Sequence, residues 1–323
     1  MVNYLVNKLP EYFQPRITLR KKRIISFLLA FILTFITYQV ILEIITVQIP
    51  IFGFHDIVDF QNPQEIPPQR REFPGDYSQQ NLAPFLDYLV SHNYWFLSSQ
   101  ELYEYFIANS PKAVPSEYRD RPKVMITFDD GNKSIYTHLL PILETLENKY
   151  GKKTKVVVFI NSGFFGHHDS LIKKVTCQDL RDGMQKGFYD IQSHGLNHQN
   201  LTKISLTALD RELSEDQIRL RKCTQDLDPN LTVASHIAYP FGAVNKQVDK
   251  YVAKYFSSGY LYDTSKLKLW FFPPNKYRIS RLTVNKKYSA KRLSNLASGS
   301  WLHKLIGKEA GDTLLFLNKK DVQ

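Results

Sequence analysis

Cysteine is nearly absent: Cys177 and Cys223 are the only two in 323 residues, and they form no Cys-x-x-Cys. A zinc ribbon and a thioredoxin-like redox site are therefore not indicated. An extracytoplasmic location would permit the two to pair, but the sequence leaves a disulfide and two buried thiols equally open. No Gly-x-Gly-x-x-Gly follows a strand-like run, which weakens a dinucleotide-binding reading. There is no internal repeat and no low-complexity tract. The net charge of +11 is not matched by a dense basic stripe. Residues 1–23 hold Lys8, Arg16, Arg20, Lys21, Lys22 and Arg23 against Glu11, so they carry +5 of it, and the rest is scattered over 300 residues. No nucleic-acid module is visible and no nucleic-acid partner is expected. Hydrophobic residues at 43% suffice for a real core, and charged residues at 23% argue against disorder.

The basic tail, residues 1–23, leads directly into Ile24–Leu42, nineteen residues without a charge. That is about the length needed to cross the hydrocarbon core of a bilayer. Basic residues on the N-terminal flank favour a cytoplasmic N-terminus. The alternatives are a cleaved signal peptide and a buried soluble helix. The length of the apolar stretch and the lack of a small-x-small cleavage site after it argue against a signal peptide, and the Arg20–Arg23 run argues against a buried soluble helix. Residues 24–44 are thus expected as a single transmembrane anchor, with residues 45–323 as an extracytoplasmic domain.

In that domain, short apolar runs alternate with helical spacing. Strands are expected within 46–56 and over 122–128, 154–160, 188–192, 234–239, 258–262, 277–283 and 312–317. Helices are expected near 81–89 and over 98–108, 134–149, 170–186, 206–226, 246–256 and 289–298. This alternation indicates a parallel α/β architecture, and the number of units favours a barrel over an open sheet. His55, Asp129-Asp130, His194 and Tyr239-Pro240-Phe241-Gly242 all fall just after strand candidates. In a barrel they would meet on the rim formed by the strand C-termini.

The residues on that rim carry a chemistry. Val124-Met125-Ile126-Thr127-Phe128 ends in Asp129-Asp130-Gly131, and Ser193-His194-Gly195-Leu196-Asn197-His198 follows some sixty residues later. Asp130, His194 and His198 form a two-histidine, one-carboxylate set suited to zinc, and also to cobalt, nickel or iron. A metal there would acidify a water and polarise a carbonyl oxygen. Asp129, pointing elsewhere than its neighbour, stays ionised near a cation and can take the water's proton.

These motifs resemble the polysaccharide deacetylase family, carbohydrate esterase family four. Lesser features agree: Pro141-Ile142-Leu143, Val158-Phe159-Ile160 and Ala238-Tyr239-Pro240-Phe241-Gly242. The resemblance spans roughly 46–317. It implies a distorted (β/α)7-type barrel and removal of acetyl groups from N-acetylated, less often O-acetylated, glycans. It makes Asp129 the general base, Asp130, His194 and His198 the ligands of a divalent metal, zinc first, and the Phe241 N–H the oxyanion donor. It also implies an acetylated polysaccharide as partner. With the anchor, it implies a single-pass protein of the bacterial inner (plasma) membrane, its catalytic domain in the periplasm or outside the cell.

Two positions depart from the family pattern. Ala238 stands where many members carry an arginine that pairs with the base. The stretch Thr313-Leu314-Leu315-Phe316-Leu317-Asn318 lacks the histidine that often serves as acid. Phe54-His55-Asp56 resembles the aromatic-His pair of the permuted poly-N-acetylglucosamine deacetylase branch and makes His55 the candidate acid, against a loop histidine beside a solvated aspartate. An O-acetyl esterase and a catalytically silent glycan-binding module are the rival functions. Trp270 and Phe271-Phe272 would stack on sugar rings or pack as a core plug. His92, His138, His167, His168, His236 and His303 are expected to be structural or surface residues.

Overall fold

The computed structural model describes residues 19–45, 47–167, 172–269 and 274–299, without the side chains of 19–22, 39–40, 42–45, 47 and 268. The chain divides into two compact units, and the second spans Val47–Trp301.

In the first unit, α1 (Leu19–Ile45) is one continuous helix. Its described apolar side chains, from Ile24 to Tyr38, are exposed. Among the described residues no helix is long and apolar enough to cross a membrane. The expected span 24–42 includes positions 39, 40 and 42, which lie outside the described side chains, as residues 1–18 lie outside the described chain.

In the second unit β1 (Val47–Ile49) pairs with β11 (Leu267–Leu269) and β3 (Asp56–Val58) with β4 (Asp76–Ser78), and a parallel sheet holds eight further strands. Seven of them run in the order β10 (Ser258–Tyr260), β9 (His236–Ala238), β8 (Tyr189–Ser193), β7 (Val156–Ile160), β6 (Lys123–Phe128), β2 (Ile51–Phe54) and β12 (Leu282–Thr283), and β5 (Trp95–Phe96) pairs with the start of β6. Ile279 bridges Tyr260 of β10, while Leu282 pairs with Phe52 of β2. One short segment, 279–283, thus touches both ends of the sheet and curls it into an α/β half-barrel.

The period of two along each strand explains the two faces. Val124, Ile126 and Phe128 of β6, with Val156, Val158 and Ile160 of β7, pack in the larger core together with α2 (Gln79–Ser91) and α4 (Leu140–Tyr150). Met125, Val157 and Phe159 point the other way, into a second cluster with Ile49, Ile51 and Tyr260. Asp129 continues the second parity, so it follows Met125 and Thr127 toward the interior.

Most expected elements are present, with shifts at their ends. The 134–149 helix opens as a π-turn, Ile135–Leu139, before α4. Pro141 has no N–H to extend the α pattern backward through that turn. The 98–108 helix divides into α3 (Ser99–Leu102) and a π-turn, Tyr103–Ile107. The 170–186 helix begins only at α5 (Cys177–Gln185), where Thr176 and Asp179 form a capping box. α6 (Leu206–Thr224), α7 (Lys246–Tyr255) and α8 (Ala290–Ala297) lie where expected. The 277–283 strand contracts to β12 plus the Ile279 bridge. The 312–317 strand lies outside the described residues.

Candidate active site

β6 ends by presenting Asp129, whose N–H donates to the Phe54 carbonyl of β2 at 2.9 Å. The carboxylate is buried and meets Arg281, which is fully buried. Nη1 donates to Oδ1 at 2.7 Å and Nη2 to Oδ2 at 2.8 Å, a two-bond fork. Arg281 Nη1 also donates to Thr127 Oγ1 at 3.0 Å, and Nε to the Leu261 carbonyl at 2.7 Å. Burial alone would raise the Asp129 carboxyl, but Arg281, with His194 and His55, holds it below its ordinary value.

Asp130 turns away from its neighbour because it adopts a left-handed backbone, φ 71°, followed by Gly131 at φ 61°. Its Oδ1 lies 3.3 Å from Nε2 of His194 and 3.3 Å from Nε2 of His198. That oxygen is buried yet hydrogen-bonds to neither. The three ligand atoms lie within 4.8 Å of one another.

His194 follows β8, its N–H bonded to the Ile160 carbonyl at 2.9 Å. Its Nδ1 lies 2.8 Å from the Ala238 carbonyl, an acceptor only, so Nδ1 carries the proton and Nε2 offers a lone pair. Asn161 Nδ2 donates to the carbonyls of His194 and Gly195 at 2.5 and 2.9 Å. Gly163 makes this loop possible: a Cβ there would collide with the Leu196 carbonyl and the Asn197 side chain. Deeper down, Asp216 accepts from Ser162 N–H at 2.9 Å and from the hydroxyls of Ser162 and Ser193, both at 2.6 Å.

The three residues fit a divalent cation. An orphaned buried carboxylate oxygen converges with two imidazole nitrogens, a donor set suited to zinc and its neighbours. Burial lowers His198 to about 4, helped by His194, so it stays a neutral ligand. Burial opposes charge on Asp130, yet His194, His55 and Lys174 hold its carboxyl well below the usual range. Burial likewise opposes charge on His194, but Asp130 raises it. The cluster attracts positive charge.

Phe241 lies across the site in the Pro240–Gly242 turn, with φ 60° and its ring exposed against His198, centroids 4.6 Å apart. The turn is closed by Gly242 N–H to the Tyr239 carbonyl and Ala243 N–H to the Pro240 carbonyl, neither using the Phe241 N–H.

His55 follows β2 directly. Since Phe54 pairs with Phe128, His55 and Asp129 sit side by side just past the register. Its Nδ1 is 3.3 Å from the Tyr262 hydroxyl. Asp56 is buried, not solvated: it binds Arg70 at 2.6 Å and accepts from the Ser134 hydroxyl. Arg70 also reaches Asp76 at 2.7 Å. Burial raises the Asp56 carboxyl even so.

All six candidate residues therefore lie past the C-terminal ends of β2, β6, β8 and β9, at the same end of the sheet. Two partners escaped the motif reading, Arg281 and Tyr262. The available signal for Arg281 was the segment Ile279-Ser280-Arg281-Leu282-Thr283, which places a cation on the same parity as the core residue Ile279. His236 is the buried core histidine expected, hydrogen-bonded to Ser258 at 2.7 Å and lowered by burial to about 3. His138 pairs with Glu65 at 2.9 Å. Cys177 and Cys223, left open by the sequence, form a disulfide between the start of α5 and the end of α6. Trp270, Phe271, Phe272, His168 and His303 lie outside the described residues.

Residues 116–257 match the family model described as polysaccharide deacetylase. No curated protein matches the sequence. Among solved structures, a polysaccharide deacetylase of Bacillus cereus is similar at 17% identity and a TM-score of 0.63, over 78% of this chain and 69% of that one. The Streptococcus pyogenes deacetylase PplD, solved with acetate, is similar at 20% identity and 0.61, over 77% and 97%. IcaB from Ammonifex degensii is similar at 18% identity and 0.56, over 78% and 97%. At these identities the likeness carries the fold.

Proposed function

We propose that this chain, whose residues 116–257 belong to the polysaccharide deacetylase family, removes acetyl groups from an N-acetylglucosamine-type polysaccharide outside the cytoplasm. It is a hydrolase of N-acetyl amide bonds. Such a reaction needs a base for water, a stabiliser for the oxyanion and an acid for the amine. The observation that carries the assignment is the buried Asp129–Arg281 fork beside the convergent Asp130, His194 and His198.

Asp130, His194 and His198 would hold the metal, zinc first, with cobalt or nickel as alternatives. When bound, the ion supplies Lewis acidity to the acetyl carbonyl and to the attacking water. Asp129, kept ionised by Arg281, accepts the water's proton as the C–O bond forms. The Phe241 N–H donates to the carbonyl oxygen as it gains charge. His55 protonates the sugar nitrogen as the C–N bond breaks, which an amine leaving group requires. Free amine and acetate result.

The Cys177–Cys223 disulfide supports an oxidising compartment, and the exposed apolar side chains of α1 support residues 24–44 as a membrane anchor, with the catalytic unit in the periplasm or outside the cell. The test is acetate release from N-acetylglucosamine oligomers by the zinc-loaded protein, its loss with chelator and its return on adding metal back. Release from O-acetyl esters alone would make the protein an esterase. Glycan binding without any release would make it a silent binding module.

A further inference from the structure

Asp129 has its partner in Arg281, and His55 beside it has one of another kind. We infer that Tyr262 is the positioning residue for His55, fixing its imidazole through Nδ1 so that Nε2 is the nitrogen that hands over the proton. The inference rests on His55 being the acid.

Two neighbours, Gly75 and Tyr262, hold the imidazole. A Cβ added at Gly75 would come within 3.0 Å of the His55 Cβ, so the backbone at Gly75 lies flat against the residue. The Tyr262 ring meets the imidazole edge-on, centroids 5.0 Å apart, with the hydroxyl 3.3 Å from Nδ1. Tyr262 is itself fixed. A Cβ at Gly53 would approach its ring to 2.9 Å, so it packs directly on β2, the strand that delivers His55. Its ring also lies 5.5 Å from the Arg281 guanidinium, the partner of Asp129.

The chemistry of the hydroxyl suits an acid that must change state. It accepts from Nδ1–H of the imidazolium, and because the proton leaves from Nε2 the neutral ring keeps Nδ1–H and the same contact, so one hydrogen bond persists on both sides of the transfer. A carboxylate in that place would bind the proton more tightly and yield it less readily. Burial, with Asp129 nearby, keeps the phenol protonated.

The experiment compares wild type, Tyr262→Phe, His55→Ala and the double variant, as zinc-loaded full-length chains, on an N-acetylglucosamine oligomer and on 4-nitrophenyl acetate. Phenylalanine keeps the ring packing, so melting temperature and zinc content should match wild type. Tyr262→Phe should lower kcat on the amide by about tenfold or more, as misorientation of a reacting group does. KM on the amide and turnover of the activated ester should stay within about twofold, and the double variant should match His55→Ala within about twofold. An unchanged kcat in Tyr262→Phe, an equal loss on the ester, or a further loss on top of His55→Ala would overturn the role of Tyr262. Full amide turnover in His55→Ala would instead overturn the acid assignment on which it rests.

Discussion

Arg281 and Asp129 meet as a buried fork, with nitrogen–oxygen distances of 2.7 and 2.8 Å, across 152 residues of sequence. The arginine absent at position 238 is thus supplied from the segment that closes the sheet. The Ala238 position serves differently, its carbonyl fixing the tautomer of His194. Because Arg281 and Asp129 are both buried, each is the other's counter-charge.

Replacing Arg281 with methionine should therefore destabilise the fold by about 3–5 kcal/mol, the usual cost of leaving a buried charge unpaired. Arg281→Lys should cost less, because it keeps the charge but loses the fork. Urea unfolding of both variants would read this. A methionine variant as stable as wild type would mean that Asp129 is not held as a charged partner.

Loss of any one of Asp130, His194 and His198 to alanine should abolish zinc retention and acetate release together, since a three-ligand site tolerates little loss. Asp129→Asn should retain zinc but lose turnover by about a hundredfold or more, because an amide cannot take the proton. Metal analysis of the four purified variants separates the two roles. Wild-type zinc content in all three ligand variants would disprove the ligand set.

Asp216 should make stability depend on pH. Burial raises its carboxyl from 3.8 to about 6, despite hydrogen bonds from Ser162 and Ser193. The native carboxyl thus holds its proton more tightly than the unfolded one. Its contribution is complete below the unfolded value and is lost as pH rises through about 6. The full loss is about 3 kcal/mol. Asp216→Asn keeps an acceptor for Ser162 and should flatten that slope, equalling or exceeding wild type at pH 8. Unfolding at pH 4 and pH 8 tests this, and an unaltered slope would assign the dependence to another group.

The Cys177–Cys223 bond closes a loop with a sequence separation of 46. In the chain-entropy picture that contributes about 4 kcal/mol by restricting the unfolded chain. A double Cys→Ala variant should lose about this much under oxidising conditions. It should match the reduced wild type, and the comparison by denaturant midpoint is direct.

The anchor is testable by topology. A reporter active only in the cytoplasm, fused after Gln323, should stay silent in cells, while one active only outside should report. A cytoplasmic signal, or a chain that leaves the membrane fraction on lysis without detergent, would exclude the single-pass arrangement.

The sequence by itself determined the parallel α/β plan and the motifs that converge on the candidate site. The reason is locality. A strand's apolar alternation, and the carboxylates or histidines at its end, are written within a few consecutive residues. Asp129, Asp130, His194 and His198 were legible for that reason, and so was the candidacy of His55. Tertiary structure alone decided their partners: Arg281 for Asp129, Tyr262 for His55 at a separation of 207 residues, and Cys177 for Cys223. These pairings depend on how the 279–283 segment joins the two ends of the sheet and on where α5 meets α6. A single sequence carries no local signal for such long-range closure, because many registers bury the same apolar residues and only the packed fold selects one.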